Sequence, residues 1–280
     1  MFPTNRSLKG ALMRNKDTLT LVAVGDIILN ERMRGTVGKE YYDAFNWVRE
    51  MFSSSDIVFG ALESPITTAN DKNEEHYSKM LDHSVFGKRV YLRSDPCLAN
   101  LLSFLGFNIV SIANNHIMDF KVEGLKDTIY YLSRNNIAYV GAGFNLLHAR
   151  RPVVFKVRGL KIGFLAYSYT YEATGNRPGC APLWKSVVVR DIRRLKQHAD
   201  VVVVSLHWGN EFSYCPSRKQ KILAHKLIDA GADIILGHHP HMVHPVEVYR
   251  GRIIAYSLGN FLFDYLSYGR RLPLTIVNAS

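Results

Sequence analysis

The sequence predicts an α/β fold: a sandwich of mixed β-sheets flanked by helices, with a site at the carboxyl ends of the strands. The architecture rests on two patterns, and a third places the site. Short β-branched runs alternate with helix-period segments for most of the length. Two short apolar pairs are joined by Arg-Gly dipeptides, the mark of hairpins at a sheet edge. Acids, amides and histidines stand at the end of strand after strand, and in open α/β sheets ligands bind outside those ends.

Taken in order, the strands are expected at Thr18–Val24, Ile57–Leu62, Phe107–Ile112, Ile137–Val140, Val201–Leu206, Ala232–Leu236 and Arg252–Ser257. Helices are expected at Tyr41–Phe52, Pro96–Leu105, Val122–Arg134, Ser186–Gln197 and Ser217–Asp229. Strands separated by helices pair in parallel through crossovers. The hairpins are Val153–Val157 with Ile162–Tyr167 around Arg158-Gly159, and Val246–Tyr249 with Arg252–Tyr256 around Arg250-Gly251. Segment 64–95 is charged and aperiodic, and reads as a loop or lid.

A chain of 280 residues, 47% apolar and 21% charged, buries a core of ordinary globular size. It reads as a polar tail over 1–17 and one domain over 18–280. No apolar run approaches the ~18 residues of a membrane helix, and residues 1–19 hold no secretory h-region. The three cysteines, Cys97, Cys180 and Cys215, form neither a disulfide framework nor a CxxC zinc site. These features point to the cytoplasm.

The formal charge of +11 is unevenly placed. Residues 1–140 are neutral overall, with 16 basic and 16 acidic groups, while residues 141–280 carry 19 basic against 8 acidic. A basic half raises the local concentration of anionic partners such as phosphate esters, polycarboxylates, nucleic acid or anionic lipid. Arg190–Lys196 and Arg218–Lys226 also read as solvated faces of amphipathic helices. With no zinc finger or aromatic RNA-binding signature beside the charge, nucleic acid is not the favoured partner.

The strand-end groups are Asp26, Glu63, Asn114-Asn115-His116, His207, His238-His239-Pro240-His241 and Ser257 to Asn260. Each alone has a plainer reading: Asp26 as a turn residue, Glu63 as a loop acid, Asn114 and Asn115 as turn formers, His207 as a satisfied core histidine. Six of the eleven histidines (116, 207, 238, 239, 241, 244) nevertheless fall in these segments. Carboxylates, an amide and neutral imidazoles on one rim, with no thiol, suit Mn, Fe, Zn or Co. Two such ions roughly 3.5–4 Å apart would clamp a phosphoryl displacement. In an extended segment His239 and His241 point the same way. They are therefore chosen as ligands, His238 is left to pack or to brace a ligand, and His244 is read as structural.

Gly25-Asp26, Leu62-Glu63-Ser64-Pro65, Ala113-Asn114-Asn115-His116, His207-Trp208-Gly209, Gly237-His238-His239-Pro240-His241 and Tyr256-Ser257-Leu258-Gly259-Asn260-Phe261 stand in the order and spacing of the CapA family. The chain thus resembles bacterial capsule, or poly-γ-glutamate, synthesis proteins from about Thr20 to Phe263. That family is related to the calcineurin-like metallophosphoesterases, whose two-metal centre sits in a helix-flanked β-sandwich. The resemblance implies Asp26 on one metal, Glu63 as the bridging carboxylate, Asn115 as a metal-binding amide, His207 and His239 on the second metal and His241 on the first. It implies His116 as the residue that assists the leaving group, with Asn114, Ser257 and Asn260 lining the substrate rim.

The chain departs from the pattern at Ile28, where phosphoesterases carry a histidine, and at Ala61, where relatives often carry asparagine. Members also commonly continue with further strands beyond the Asn260-Phe261 motif, and many are anchored outside the cytoplasmic membrane. The leading expectation is a CapA-type protein of capsule or poly-γ-glutamate biosynthesis with a divalent-metal hydrolase site. Its partners would be an anionic substrate (the polymer or a phosphate ester) and a polymer-synthetase complex. The other expectations are a non-catalytic polymer-binding or assembly factor, which the residue at Ile28 favours, and a general metal-dependent phosphodiesterase.

Overall fold

The computed structural model describes residues 18–28, 39–74, 90–263 and 276–279. In chain order its elements are β1 (Leu21–Ile28), α1 (Lys39–Ala44), α2 (Asn46–Phe52), β2 (Ile57–Leu62), α3 (Cys97–Leu105), β3 (Ile109–Ser111), α4 (Lys121–Arg134), β4 (Ala138–Val140), β5 (Ala142–Gly143), α5 (Leu146–Ala149), β6 (Val153–Val157), β7 (Leu160–Ser168), β8 (Gly179–Cys180), α6 (Lys185–Lys196), β9 (Val201–His207), α7 (Arg218–Asp229), β10 (Ile234–His238), β11 (Val246–Tyr249), β12 (Arg252–Ala255), β13 (Asn260–Phe263) and β14 (Ile276–Ala279). The expected tail over 1–17 lies outside the described residues. So does 75–89, the middle of the expected lid; its flanks meet in a bridge between Ile66 and Ser94.

Two six-stranded sheets form the centre. The first runs β13-β1-β2-β3-β4, with β13 parallel to β1 at Asp26–Ile28 and β14 antiparallel to it at Leu21–Val24. The second runs β11-β12-β10-β9-β7-β6, parallel through β12, β10, β9 and β7, with antiparallel edges β11 and β6. Both hairpins fall where the Arg-Gly pairs stand. Arg158 and Gly159 have φ of 50° and 85°, and Arg250 and Gly251 have 51° and 72°, the twin positive values that match a tight turn to strand twist.

The central strands are buried on both faces, so their sequences are continuous apolar runs rather than alternating ones. One apolar layer lies between the sheets and includes Phe59, Ile109, Phe164, Val203 and Leu236. The Phe59 and Phe164 rings stack across it with centroids 5.9 Å apart. A second layer packs the first sheet against α2, α3 and α4 through residues such as Leu102, Leu125 and Leu132, and a third packs the other sheet against α6 and α7 through Ile192 and Leu227. The order is helix, sheet, sheet, helix.

Sequence and structure differ in detail. The helix expected over Tyr41–Phe52 is two helices broken at Phe45, whose amide bonds Tyr42 O at 3.0 Å in a short turn. Ser217 is the N-cap of α7 rather than its first residue, and forms a capping box with Gln220. The small β5–β8 pair and the four-residue α5 were not foreseen, being too short to show a period.

Candidate metal centre

The parallel strands β1, β2, β9 and β10 end side by side, each carrying a polar residue where its apolar run stops. Two glycines permit this crowding. A Cβ on Gly25 would meet Gly259 O at 2.0 Å, and one on Gly237 would meet Tyr256 O at 2.0 Å, so both backbones pass where only hydrogen fits. The Asp26 amide then donates to Gly259 O at 2.9 Å, and the Glu63 amide to Ile27 O at 3.0 Å. The Trp208 indole donates to Tyr256 O at 3.0 Å and ties β9 to the end of β12.

Asp26, Glu63, His207, His238 and His239 are all at most 2% exposed. Ligand atoms of Glu63, His207 and His239 lie within 4.8 Å of one another, as do those of Asp26, Glu63 and His241. Glu63 belongs to both groups: Oε1 is 3.7 Å from His207 Nε2, and Oε2 is 3.7 Å from His241 Nδ1. Asn115 Oδ1 is 2.7 Å from His207 Nε2, beside the first group. Asp26 Oδ2 is 3.4 Å from His241 Nδ1 and accepts the His239 amide at 3.2 Å.

The expected extended run from His238 to His241 is not what forms. His239 and His241 have φ of 95° and 58°, so the chain turns sharply after β10. Non-glycine residues in this region cost of order 1–3 kcal/mol each and cluster at functional sites. The turn sends His239 toward His207, with ring centroids 4.7 Å apart, and His241 toward the two carboxylates. His238, on the strand itself, stands 3.3 Å from Asp26 Oδ1 and so braces that carboxylate. His244 donates its amide to Ser257 O at 3.1 Å and places Nε2 2.8 Å from Ser213 O, a packing role.

The electrostatics is that of a buried charge cluster. Burial raises Asp26, but His238 and His241 outweigh it and hold the carboxyl well below the usual range. Burial pushes Glu63 well above its usual value; His241 opposes this, while Asp26, Glu211 and Asp119 add to it. His241 rises to about 10, since Glu63 and Asp26 overcome its desolvation. Burial and the neighbouring imidazole of His239 press His207 well down, keeping it neutral.

Several of these buried polar atoms have no hydrogen-bond partner among the described residues: both Glu63 oxygens, His238 Nε2 and Asn260 Nδ2. Buried polar groups are nearly always paired. A convergent set of orphaned oxygen and nitrogen donors is the pattern a divalent cation satisfies, so these residues fit such an ion.

His116 points its Nδ1 at Asp119 Oδ2, 2.8 Å away. Asp119 is fully buried and also accepts the Leu92 amide at 2.8 Å. Burial raises the Asp119 carboxyl, while His116, the Leu92 amide and the Tyr171 hydroxyl oppose the rise. The sequence reading missed Asp119 as an orienting residue, although the His-x-x-Asp spacing across one turn was its signal. It also missed Phe212, whose ring lies 5.9 Å from that of His241 and whose amide bonds Pro240 O at 2.8 Å.

Two residues expected at the substrate rim, Asn114 and Ser257, have backbone partners. Asn114 donates to Leu62 O at 2.7 Å and accepts the His116 and Ile117 amides at 2.9 and 2.8 Å, so its side chain shapes the loop carrying Asn115 and His116. Ser257 is buried, and its hydroxyl accepts the Gly259 amide at 3.3 Å. Asn260 does reach the cluster, with Oδ1 3.0 Å from His241 Nδ1.

Two paired sheets covered by helices on both outer faces, with carboxylates and imidazoles gathered at the strand ends, define a helix-flanked α/β sandwich. A crystal structure of a novel phosphatase from Mycoplasma pneumoniae has a similar fold, with a TM-score of 0.52 at 16% identity over 86% of this chain and 72% of that one. Residues 20–265 match the model of the bacterial capsule synthesis protein PGA_cap, and the chain belongs to that family. It is 37% identical over 254 residues to the PGA biosynthesis protein CapA of Bacillus subtilis, covering 89% of this chain and 64% of that protein. It is 35% identical over 260 residues to the capsule biosynthesis protein CapA of Bacillus anthracis, covering 90% and 61%. A probable polyglutamine synthesis accessory protein of Mycobacterium tuberculosis is 30% identical over 266 residues, covering 88% and 67%. The chain thus spans less than two thirds of the length of the two Bacillus relatives. Among the described residues no helix is long and apolar enough to cross a membrane.

Proposed function

We propose that this chain carries a metal-dependent, phosphoesterase-like hydrolase site that serves poly-γ-glutamate or capsule biosynthesis. The observation that carries the reading is Glu63: one buried carboxylate shared by two ligand groups, with neither oxygen hydrogen-bonded. Two divalent ions (Mn, Fe or Zn) are the expected complement, one held by Asp26, Glu63 and His241 and the other by Glu63, Asn115, His207 and His239. When bound, such ions polarise a substrate oxygen and lower the pKa of water. The chain's own residues do the rest. Asp119 fixes the His116 ring by accepting from Nδ1, which leaves Nε2 to exchange a proton with a leaving group. Asn260 holds His241 and leaves its amide group for a substrate oxygen. The substrate is anionic, a phosphate ester or the polymer itself, and the names of the relatives point to a polymer-synthetase assembly as partner.

A second reading, a non-catalytic assembly factor, draws on one observation. Ile28, two residues after Asp26, is apolar and buried and offers no ligand, so among the described residues the ligand group of Asp26 and Glu63 takes its imidazole from His241. Turnover of a chromogenic phosphodiester by manganese-loaded protein separates the two. The hydrolase reading expects His116→Ala to keep its metal and lose about 10²- to 10⁴-fold in rate. No turnover by the loaded wild type would overturn that reading, and so would full turnover by the variant.

A further inference from the structure

Part of the excess positive charge of the second half lines a groove away from the metal centre. The groove lies at the β6 edge of the second sheet, between α5 and the last turns of α6, and encloses about 1170 Å³. None of its lining residues belongs to the metal cluster. Its walls carry Arg150, Arg151, Arg190 and Arg194. The one acid among them, Asp191, is already engaged. It takes a two-pronged ion pair from Arg150, with Nε to Oδ2 at 2.8 Å, and a hydrogen bond from the Tyr167 hydroxyl at 3.1 Å.

Arg151, Arg190 and Arg194 are exposed and form no ion pair among the described residues. Arg190 and Arg194 stand four residues apart on α6, so they present guanidiniums on one face, with Cβ atoms ~6 Å apart. Apolar side chains interleave with the charge: Leu147 is 81% exposed, Val154 44% and Phe144 38%.

We infer that this groove binds a polycarboxylate chain, a γ-linked glutamate polymer, as a holding site separate from the metal centre. The guanidinium fork matches a carboxylate bidentately, as the groove's own Arg150–Asp191 pair displays. A γ-linked glutamate chain offers one free carboxylate and two methylenes per residue, which suits arginines spaced along an apolar floor. Nucleic acid suits it less, since among the described lining residues only Phe144 and two histidines offer a ring on which a base could stack. That the occupant is this polymer rests on the biosynthetic reading above; that the groove binds anions rests on its own residues.

Binding of fluorescein-labelled poly-γ-glutamate to the full chain, followed by anisotropy at fixed ionic strength, tests the proposal. Arg190→Glu with Arg194→Glu should lower affinity about tenfold or more, and the neutral pair Arg190→Gln with Arg194→Gln should lower it less. Reversing Arg218 and Lys219, exposed but outside the groove, should change it by less than about twofold. Unchanged metal content in each variant shows that the fold and the metal centre persist. Equal losses from both reversals would mean that the +11 charge acts diffusely, and would overturn the site. So would unaltered affinity in the groove variant, no binding by the wild type, or equal binding of a DNA duplex of matched charge. A failed groove with intact metal-dependent turnover would leave the hydrolase reading standing.

Discussion

Replacing Glu63 by glutamine separates what the carboxylate does for the fold from what it does for a metal. The side chain keeps its shape, so no cavity forms. Without metal, the wild-type carboxylate is 1% exposed with neither oxygen hydrogen-bonded, and an unsatisfied buried group costs about 1–3 kcal/mol. Removing its charge relieves that burial and also forfeits the attraction of His241 at 3.7 Å. The two effects oppose, and the metal-free variant should unfold within about 1 kcal/mol of the metal-free wild type. Metal changes the comparison. At a free ion concentration of about 100 Kd the wild type gains ~2.7 kcal/mol, which for a chain of this size raises Tm by roughly 5 °C. The variant, lacking the shared ligand, should show almost none of this. Thermal unfolding of both proteins with chelator and with saturating manganese or zinc gives all four values. An equal metal-induced rise in the two would refute the sharing role. A metal-free variant weaker by more than about 3 kcal/mol would refute the view that Glu63 is costly to bury.

Asp119→Asn should retain metal but lose turnover, because the His116 ring loses its charged acceptor at Nδ1; a changed pH–rate profile with unaltered metal content checks it. Metal uptake should release protons, since His241 is pushed up to about 10 by the carboxylates beside it and must lose its proton to bind an ion. Protons compete with the ion, so apparent affinity should rise with pH through neutrality, and calorimetry in buffers of differing ionisation enthalpy reads the release directly. Phe164→Ala should cost about 3–5 kcal/mol by emptying the layer between the sheets, seen as a lowered denaturant midpoint. Only Cys215 should react quickly with iodoacetamide at pH 8 in the native protein, because burial pushes the Cys97 and Cys180 thiols up to about 12 while Cys215 is exposed; three fast equivalents would contradict this packing.

The sandwich was legible because β2, β9 and β10 are buried on both faces, and such strands announce themselves as unbroken apolar runs. The hairpins were legible because Arg158-Gly159 and Arg250-Gly251 sit at turns that need positive φ at both positions. Helix ends slipped by a residue where the deciding feature was a cap, as at Ser217. At the site, residue type and strand-end position were enough to collect Asp26, Glu63, His207, His239 and His241. They could not foretell how His239 and His241 are aimed, which depends on left-handed backbone after β10 rather than on strand alternation. Nor could they tell Asn114 from Asn115: the two are neighbours of one type, and only tertiary contacts make the first a loop brace and the second a partner of His207.

If Glu63 joins two metal positions, the metal content of the chain reports it. Elemental analysis of protein purified without chelator, with Glu63→Ala beside it, should give about two equivalents of manganese, iron or zinc for the wild type and a loss in the variant. No bound metal in the wild type, even after the ions are supplied, would contradict the account, as would an alanine variant that keeps the full complement.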